Sequence, residues 1–176
     1  MIDAERIANG EFNPDNTQNM CFPTISLYKI CILSLITFGL YDIIWGYKLW
    51  KIIQTEFGYK HINPLLRAFF LKITNFSLFD VLSKYFTKHN VKSFSWSLYA
   101  ILYLILGIGY KLPDECAFLS LITVVIVTLI QKRINEVNKL HFPNAPVNEW
   151  NYANTIWATI FGLLFTLAII GTYTNP

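Results

Sequence analysis

The sequence predicts an all-α fold: a polytopic membrane helix bundle of four transmembrane helices, with a cytoplasmic amphipathic interfacial helix and helical stalks. Three observations carry that expectation. Only 14% of the residues are charged, against ~25% in ordinary globular domains. The mean hydropathy of +0.41 comes from a few long runs rather than from even enrichment. Those runs approach the ~20 apolar residues that a helix needs to cross hydrocarbon, where every backbone amide must be bonded internally.

Taken in order, residues 1–27 set Arg6 against Asp3, Glu5, Glu11 and Asp15 and read as a polar, acidic tail. Acidic side chains where a leader would be basic and then apolar predict no cleaved signal peptide. Residues 28–174 form one membrane domain. Its first crossing is expected at 28–48, a run interrupted by Asp42 and edged by Trp45, Tyr47 and Trp50 as an aromatic belt. The same helix should continue as a cytoplasmic stalk to Phe57 and stop at Gly58.

Asn63 before Pro64 reads as an N-cap followed by a first helical position, opening a helix to about residue 86. Its second half places Leu78, Val81, Leu82, Tyr85 and Phe86 on one face and Ser77, Asp80, Ser83, Lys84 and Thr87 on the other, with Asp80 and Lys84 spaced to pair. That half is expected to lie on the membrane surface. Residues 64–76 are apolar nearly all round except at Arg67, Lys72 and Asn75, and are expected to wedge among headgroups or enter partway.

The remaining crossings are expected at 94–111, 116–132 and 152–173, built on the charge-free runs 93–110, 116–131 and 150–176 of 18, 16 and 27 residues. A second stalk, 133–149, carries Ile130, Ile134, Val137 and Leu140 at helical spacing until Phe142-Pro143 ends the pattern. Each stalk is followed by a proline turn, a faint internal repeat. Gly107 and Gly109, and Ala158 with Gly162, can let helices approach closely.

Lys and Arg set the orientation. Residues 48–94 hold eight and 132–150 hold three, whereas the tail and the 111–115 turn hold one each. Positive charge stays inside, so both long connections should be cytoplasmic and both termini outside. The expected partners are anionic lipid headgroups, at ~1 kcal/mol per well-placed basic residue, together with a protein partner or a homo-oligomer. Nucleic acid is not expected.

The block Phe38-Gly39-Leu40-Tyr41-Asp42-Ile43-Ile44-Trp45-Gly46-Tyr47-Lys48-Leu49-Trp50-Lys51, then Asn63-Pro64-Leu65-Leu66-Arg67-Ala68-Phe69-Phe70 and Ser77-Leu78-Phe79, resembles an uncharacterised family of small bacterial multipass membrane proteins. The resemblance spans roughly residues 30–90 and implies a bacterial inner-membrane location and no activity. That family often has Ser where this chain has Asn63, and both cap helices well.

Asp42 is the sharpest chemical signal, because a carboxylate near the centre of a crossing costs about 2.5–3.5 kcal/mol. It can bind a proton or cation, or simply form an interfacial pair, lying only six residues before Lys48. Asp42, Lys48 and Arg67 are the candidate intramembrane polar site, and Lys72 is a further cation able to pair with Asp42. Lys51, Lys72, Lys84 and Lys88 are candidate headgroup contacts.

His61, His89 and His141 lack metal-ligand spacing, so no metal or cofactor is expected. Cys21, Cys31 and Cys116 form no C-x-x-C and read as free thiols. No nucleophile motif or phosphate loop is present, so no catalytic residue is assigned. The leading expectation is a non-enzymatic membrane protein presenting a basic, aromatic cytoplasmic surface; the alternative is a subunit of an oligomeric transporter or channel using Asp42.

Overall fold

The computed structural model describes residues 21–57, 62–108 and 122–174. The chain is all-α. Among these residues it forms a bridge strand β1 (Thr24–Ile25), helices α1 (Leu27–Ile36), α2 (Leu40–Phe57), α3 (Pro64–Phe69), α4 (Leu71–Lys88), α5 (Trp96–Ile108) and α6 (Thr123–His141), a second strand β2 (Val147–Asn148), and α7 (Tyr152–Thr174). The expectations for the tail before residue 21, for Gly58, His61, Gly109 and Cys116, and for the 111–115 turn lie outside the described residues.

The first expected crossing is folded in two. After Ile36 the chain enters the left-handed region at Phe38 (φ 51°) and Gly39 (φ 84°). The Gly39 amide donates to the Ser34 carbonyl at 2.8 Å and the Phe38 amide to the Leu35 carbonyl at 3.2 Å, the paired bonds of a Schellman C-cap. The Thr37 hydroxyl donates to the Leu33 carbonyl (2.6 Å) and accepts from the Tyr41 amide (3.0 Å), closing α1 and opening α2 with one oxygen. The chain then turns back: the Ser34 hydroxyl meets Asp42 at 2.7 Å, and Lys29 and Lys48 are close enough for their charges to interact. In a continuous helix those two lysines would be about 28 Å apart. With 10 residues, α1 is about 15 Å long, half a hydrocarbon thickness.

The second helical stretch is also broken. Asn63 caps α3 as expected, its Oδ1 accepting from the Leu65 and Leu66 amides at 3.0 and 3.2 Å, with Pro64 in the first turn. The helix does not run unbroken to 86. The Thr74 hydroxyl donates to the Arg67 carbonyl (2.6 Å) and lies 3.2 Å from the Phe70 carbonyl, and a side chain inserted in the ladder bends a helix. At the break Leu65, Leu66, Phe69, Phe70 and Ile73 are all more than half exposed.

The apolar stripe of α4 is not spread on a surface. Leu78, Val81, Leu82, Tyr85 and Phe86 are buried in the protein's own core, with Phe22 packing edge-on to Tyr85 (4.9 Å) and Phe94 beside Phe86 (5.8 Å). An amphipathic helix needs an apolar partner, and here α5, α6 and the chain before α1 supply it. Asp80 and Lys84 pair at 2.7 Å on the outer face, as their spacing predicts.

The segment before α1 is held by amide side chains along α6. Asn135 Nδ2 donates to the Ile25 carbonyl (2.8 Å) while its Oδ1 accepts from the Ile25 amide (3.3 Å). Asn138 Nδ2 donates to the Phe22 carbonyl (2.7 Å) and to Thr24 Oγ1 (2.6 Å). Gln131 Nε2 donates to the Pro23 carbonyl (3.0 Å), and its Oε1 accepts from the buried Trp45 indole (2.8 Å). β1 adds a parallel bridge to β2, pairing Thr24 with Val147. Cys21 thus lies at the α6 end that carries His141, whose Nε2 is 3.0 Å from the His89 carbonyl oxygen. The segment from Cys21 to Ile25 therefore packs along the second half of α6.

Asn138→Leu keeps the branched shape but removes the amide donor from the Phe22 carbonyl and from Thr24 Oγ1, leaving the carbonyl only the weak Cys21 thiol at 3.5 Å. A buried polar group left unpaired costs about 1–3 kcal/mol, so the purified protein should melt several degrees lower. Unchanged melting would show that the amide contacts do not hold this segment.

Candidate functional site

Asp42 lies in the first turn of α2, directly after the reversal, and is 2% exposed. Ser34 Oγ donates to its Oδ1 at 2.7 Å and the Tyr103 hydroxyl to its Oδ2 at 3.3 Å. Both partners are buried. The Lys72 ammonium stands 4.0 Å from the centre of the Tyr103 ring and is the cation whose charge bears on Asp42. Four elements thus converge: α1 brings Ser34, α2 Asp42, α4 Lys72 and α5 Tyr103.

Two glycines permit the approach. A Cβ at Gly107 would sit 2.6 Å from Lys72 Cδ, and one at Gly46 would sit 3.0 Å from the Leu71 methyls. Gly107 therefore lets the lysine stem lie flat on α5, rather than letting two helix backbones meet. Next to this cluster Asn75 Nδ2 donates to the Ala100 carbonyl at 3.0 Å, tying α4 to α5.

The other predicted residues are dispersed. Lys48 is on a different face of α2, lining a cavity against α1 and α7. The Arg67 guanidinium covers the Trp50 ring at 4.5 Å, a cation–π contact that shields an otherwise apolar side chain. Lys51 is exposed, its ammonium 6.0 Å from the Tyr47 ring. Lys84 is half exposed, beside Asp80. Lys88 is partly buried at the end of α4. Of the four lysines assigned to headgroups, Lys72 instead turns inward to the Asp42 cluster.

Sequence reasoning missed Ser34 and Tyr103. Ser34 is eight residues from Asp42, a spacing that brings them together only if the chain reverses between them, and Tyr103 is 61 residues away. Cys21 and Cys31 are free thiols; burial pushes the Cys21 thiol up, so it stays a neutral donor to Asn138 Oδ1 at 3.6 Å. Among the described residues no group of three His, Cys, Asp or Glu side chains is placed to hold a metal ion.

What the cluster can do follows from its bonding. Each carboxylate oxygen has a hydroxyl donor, and Lys72 is the cation whose charge bears on it. The carboxylate fastens the α1–α2 turn to α5. No family model, no curated protein and no solved structure matches this chain.

Removing either side chain takes away a charge that bears on the other. Asp42→Asn and Lys72→Met should each destabilise the fold by about 1–3 kcal/mol, and the double variant by less than their sum, with a coupling of about 1 kcal/mol. A denaturant-unfolding cycle measures this; strictly additive effects would show that the two charges are not coupled.

Proposed function

We propose that this chain is a non-enzymatic integral membrane protein of the bacterial inner membrane, akin to the small multipass proteins it resembles, whose basic, aromatic end faces anionic lipid headgroups. Among the described residues no helix is long and apolar enough to cross a membrane. The expected crossings at 94–111 and 116–132 extend into residues outside that description, and several α7 side chains do as well.

The observation that supports the proposal is where the apolar surface lies. Along α7, Ile156, Trp157, Ile160, Leu163, Leu164, Leu167 and Ile170 are 45–63% exposed. Leu98, Ile101, Leu102 and Ile105 on α5 and Val125 and Leu129 on α6 are also exposed. Water-soluble monomers rarely expose contiguous apolar patches beyond a few hundred Å², and helices apolar on both their inner and outer faces belong in lipid.

In this reading α5, α6 and α7 cross, while the α1–α2 pair and the α3–α4 break enter from one side. Irregular backbone is tolerated at membrane depth where protein surrounds it. The basic end carries Lys51, Lys84, Lys88, Lys92, Arg133 and Lys139 and also receives the segment starting at Cys21. Positive-inside topology then puts residue 21 on the cytoplasmic side and the end of α7 outside. This reverses the N-terminal half of the charge-counting expectation. The engaged oxygens of Asp42 favour a fastening role over transport.

The protein should stay in the membrane pellet after an alkaline carbonate wash. Green fluorescent protein fused to the N-terminus should fluoresce, and alkaline phosphatase should be active only at the C-terminus. Release into the wash would refute the membrane reading; phosphatase activity at the N-terminus would refute the sidedness alone.

A further inference from the structure

Between α1 and α2, with α7 as its third wall, lies a cavity of about 520 Å³, within the size range of small-molecule sites. Its composition is graded. Leu33, Tyr41 and Ile44 line it on the hairpin arms, and Trp157 and Phe161 on α7. Lys29 lies eight residues before Thr37 and Lys48 nine after Gly39, so both stand about 12–13 Å from the turn along their helices, at the open end of the hairpin. Asn148 and Asn151 join them on the α7 side. The cavity is therefore apolar toward the turn and cationic at its base.

The two lysines play different parts. Lys29 is 3% exposed and donates to Asn148 Oδ1 at 2.7 Å and to the Glu149 carbonyl at 3.0 Å. These acceptors are neutral, so its charge is held in place without being cancelled. Lys48 makes no hydrogen bond or ion pair among the described residues, and the two ammonium charges bear on each other. Two like charges bordering one apolar cavity, with no carboxylate bonded to either, favour an anion between them.

We propose that this cavity binds one acidic phospholipid, its phosphate held by Lys48 in the field of Lys29 and the start of an acyl chain running along Leu33, Ile44 and Trp157 toward the turn. The assignment rests on the membrane reading above. There the lysine end of the hairpin faces the same side as the basic end of the bundle, at headgroup depth, and the turn reaches into the leaflet. A soluble anion would match the lysines but leave the apolar walls unused; a neutral lipid would match the walls and leave two charges without a counterion.

The test uses the full chain in nanodiscs of mixed phosphatidylglycerol and phosphatidylcholine, with lipids retained after detergent release counted by native mass spectrometry. The wild type should keep one phosphatidylglycerol in preference to phosphatidylcholine. Lys48→Gln should weaken that retention about fivefold, the loss of one lysine–headgroup contact. Ile44→Trp, at a half-exposed position, should fill the cavity and abolish retention with both lysines intact.

Ser77→Ala, on the outer face of α4, should change nothing. Circular dichroism and melting of each variant establish that it is folded. Equal retention of the two lipids, an unaffected Lys48→Gln, or displacement of the phospholipid by equimolar oleate would overturn the proposal. Failure of the membrane reading shows separately, as release in carbonate. A chain that stays in the pellet and has no preference for acidic lipid sinks only the cavity assignment.

Discussion

At Thr37–Gly39 the chain doubles back, and the packing of α1 against α2 follows from that reversal. A Schellman cap with a phenylalanine in the left-handed position costs about 1–2 kcal/mol relative to glycine, and Phe38 occupies it at φ 51°. The cost is offset nearby. Thr37 satisfies backbone groups of both helices, and Asp42, one turn later, accepts a hydroxyl proton from the first arm and another from α5. Without the reversal Ser34 could not meet Asp42, the two lysines could not share a cavity, and the segment before α1 would leave the bundle at the wrong end. A short, polar-bonded turn thus fixes the partners of a carboxylate, the shape of a pocket and the end of the bundle that receives the Cys21–Ile25 segment.

The second break follows the same logic by other means. At Phe70 a threonine hydroxyl replaces regular ladder geometry, and Gly46 allows Leu71 within 3.0 Å of where a Cβ would stand. The result leaves an apolar vertex, Leu65 to Ile73, outside the core. Both breaks turn apolar side chains outward and polar atoms inward.

Much of the helical content was legible from local rules. Asn63 and Pro64 form the predicted cap, α2 continues to Phe57, Asp80 pairs with Lys84, and the stripe Leu78, Val81, Leu82, Tyr85 and Phe86 shares one buried face. Asp42 was also identifiable, because a lone carboxylate in an apolar run must be accommodated somewhere. Its partners were not, since Ser34 reaches it only through a turn built from Thr37, Phe38 and Gly39, residues that also occur inside apolar helices. The amides of α6 were opaque for a related reason. Gln131, Asn135 and Asn138 sit where a solvated stalk would carry polar groups, and the segment they bind lies more than 100 residues earlier. Periodicity reveals that a face is apolar and not what covers it, so the stripe of α4 could be read as membrane-facing when protein covers it.

The grip of α6 on the Phe22–Ile25 segment also orders events in time. Asn135 and Ile25 are separated by 110 residues, and at ~5–20 residues per second a ribosome takes roughly 5 to 20 seconds to pass from one to the other. This segment is therefore made long before its seat, and until α6 follows, its carbonyls lack the amide partners that will receive them. Closing so long a loop is slow relative to pairing neighbouring helices. During that interval the nascent chain presents an unpaired strand that a chaperone or a misplaced neighbour can occupy before α6 arrives.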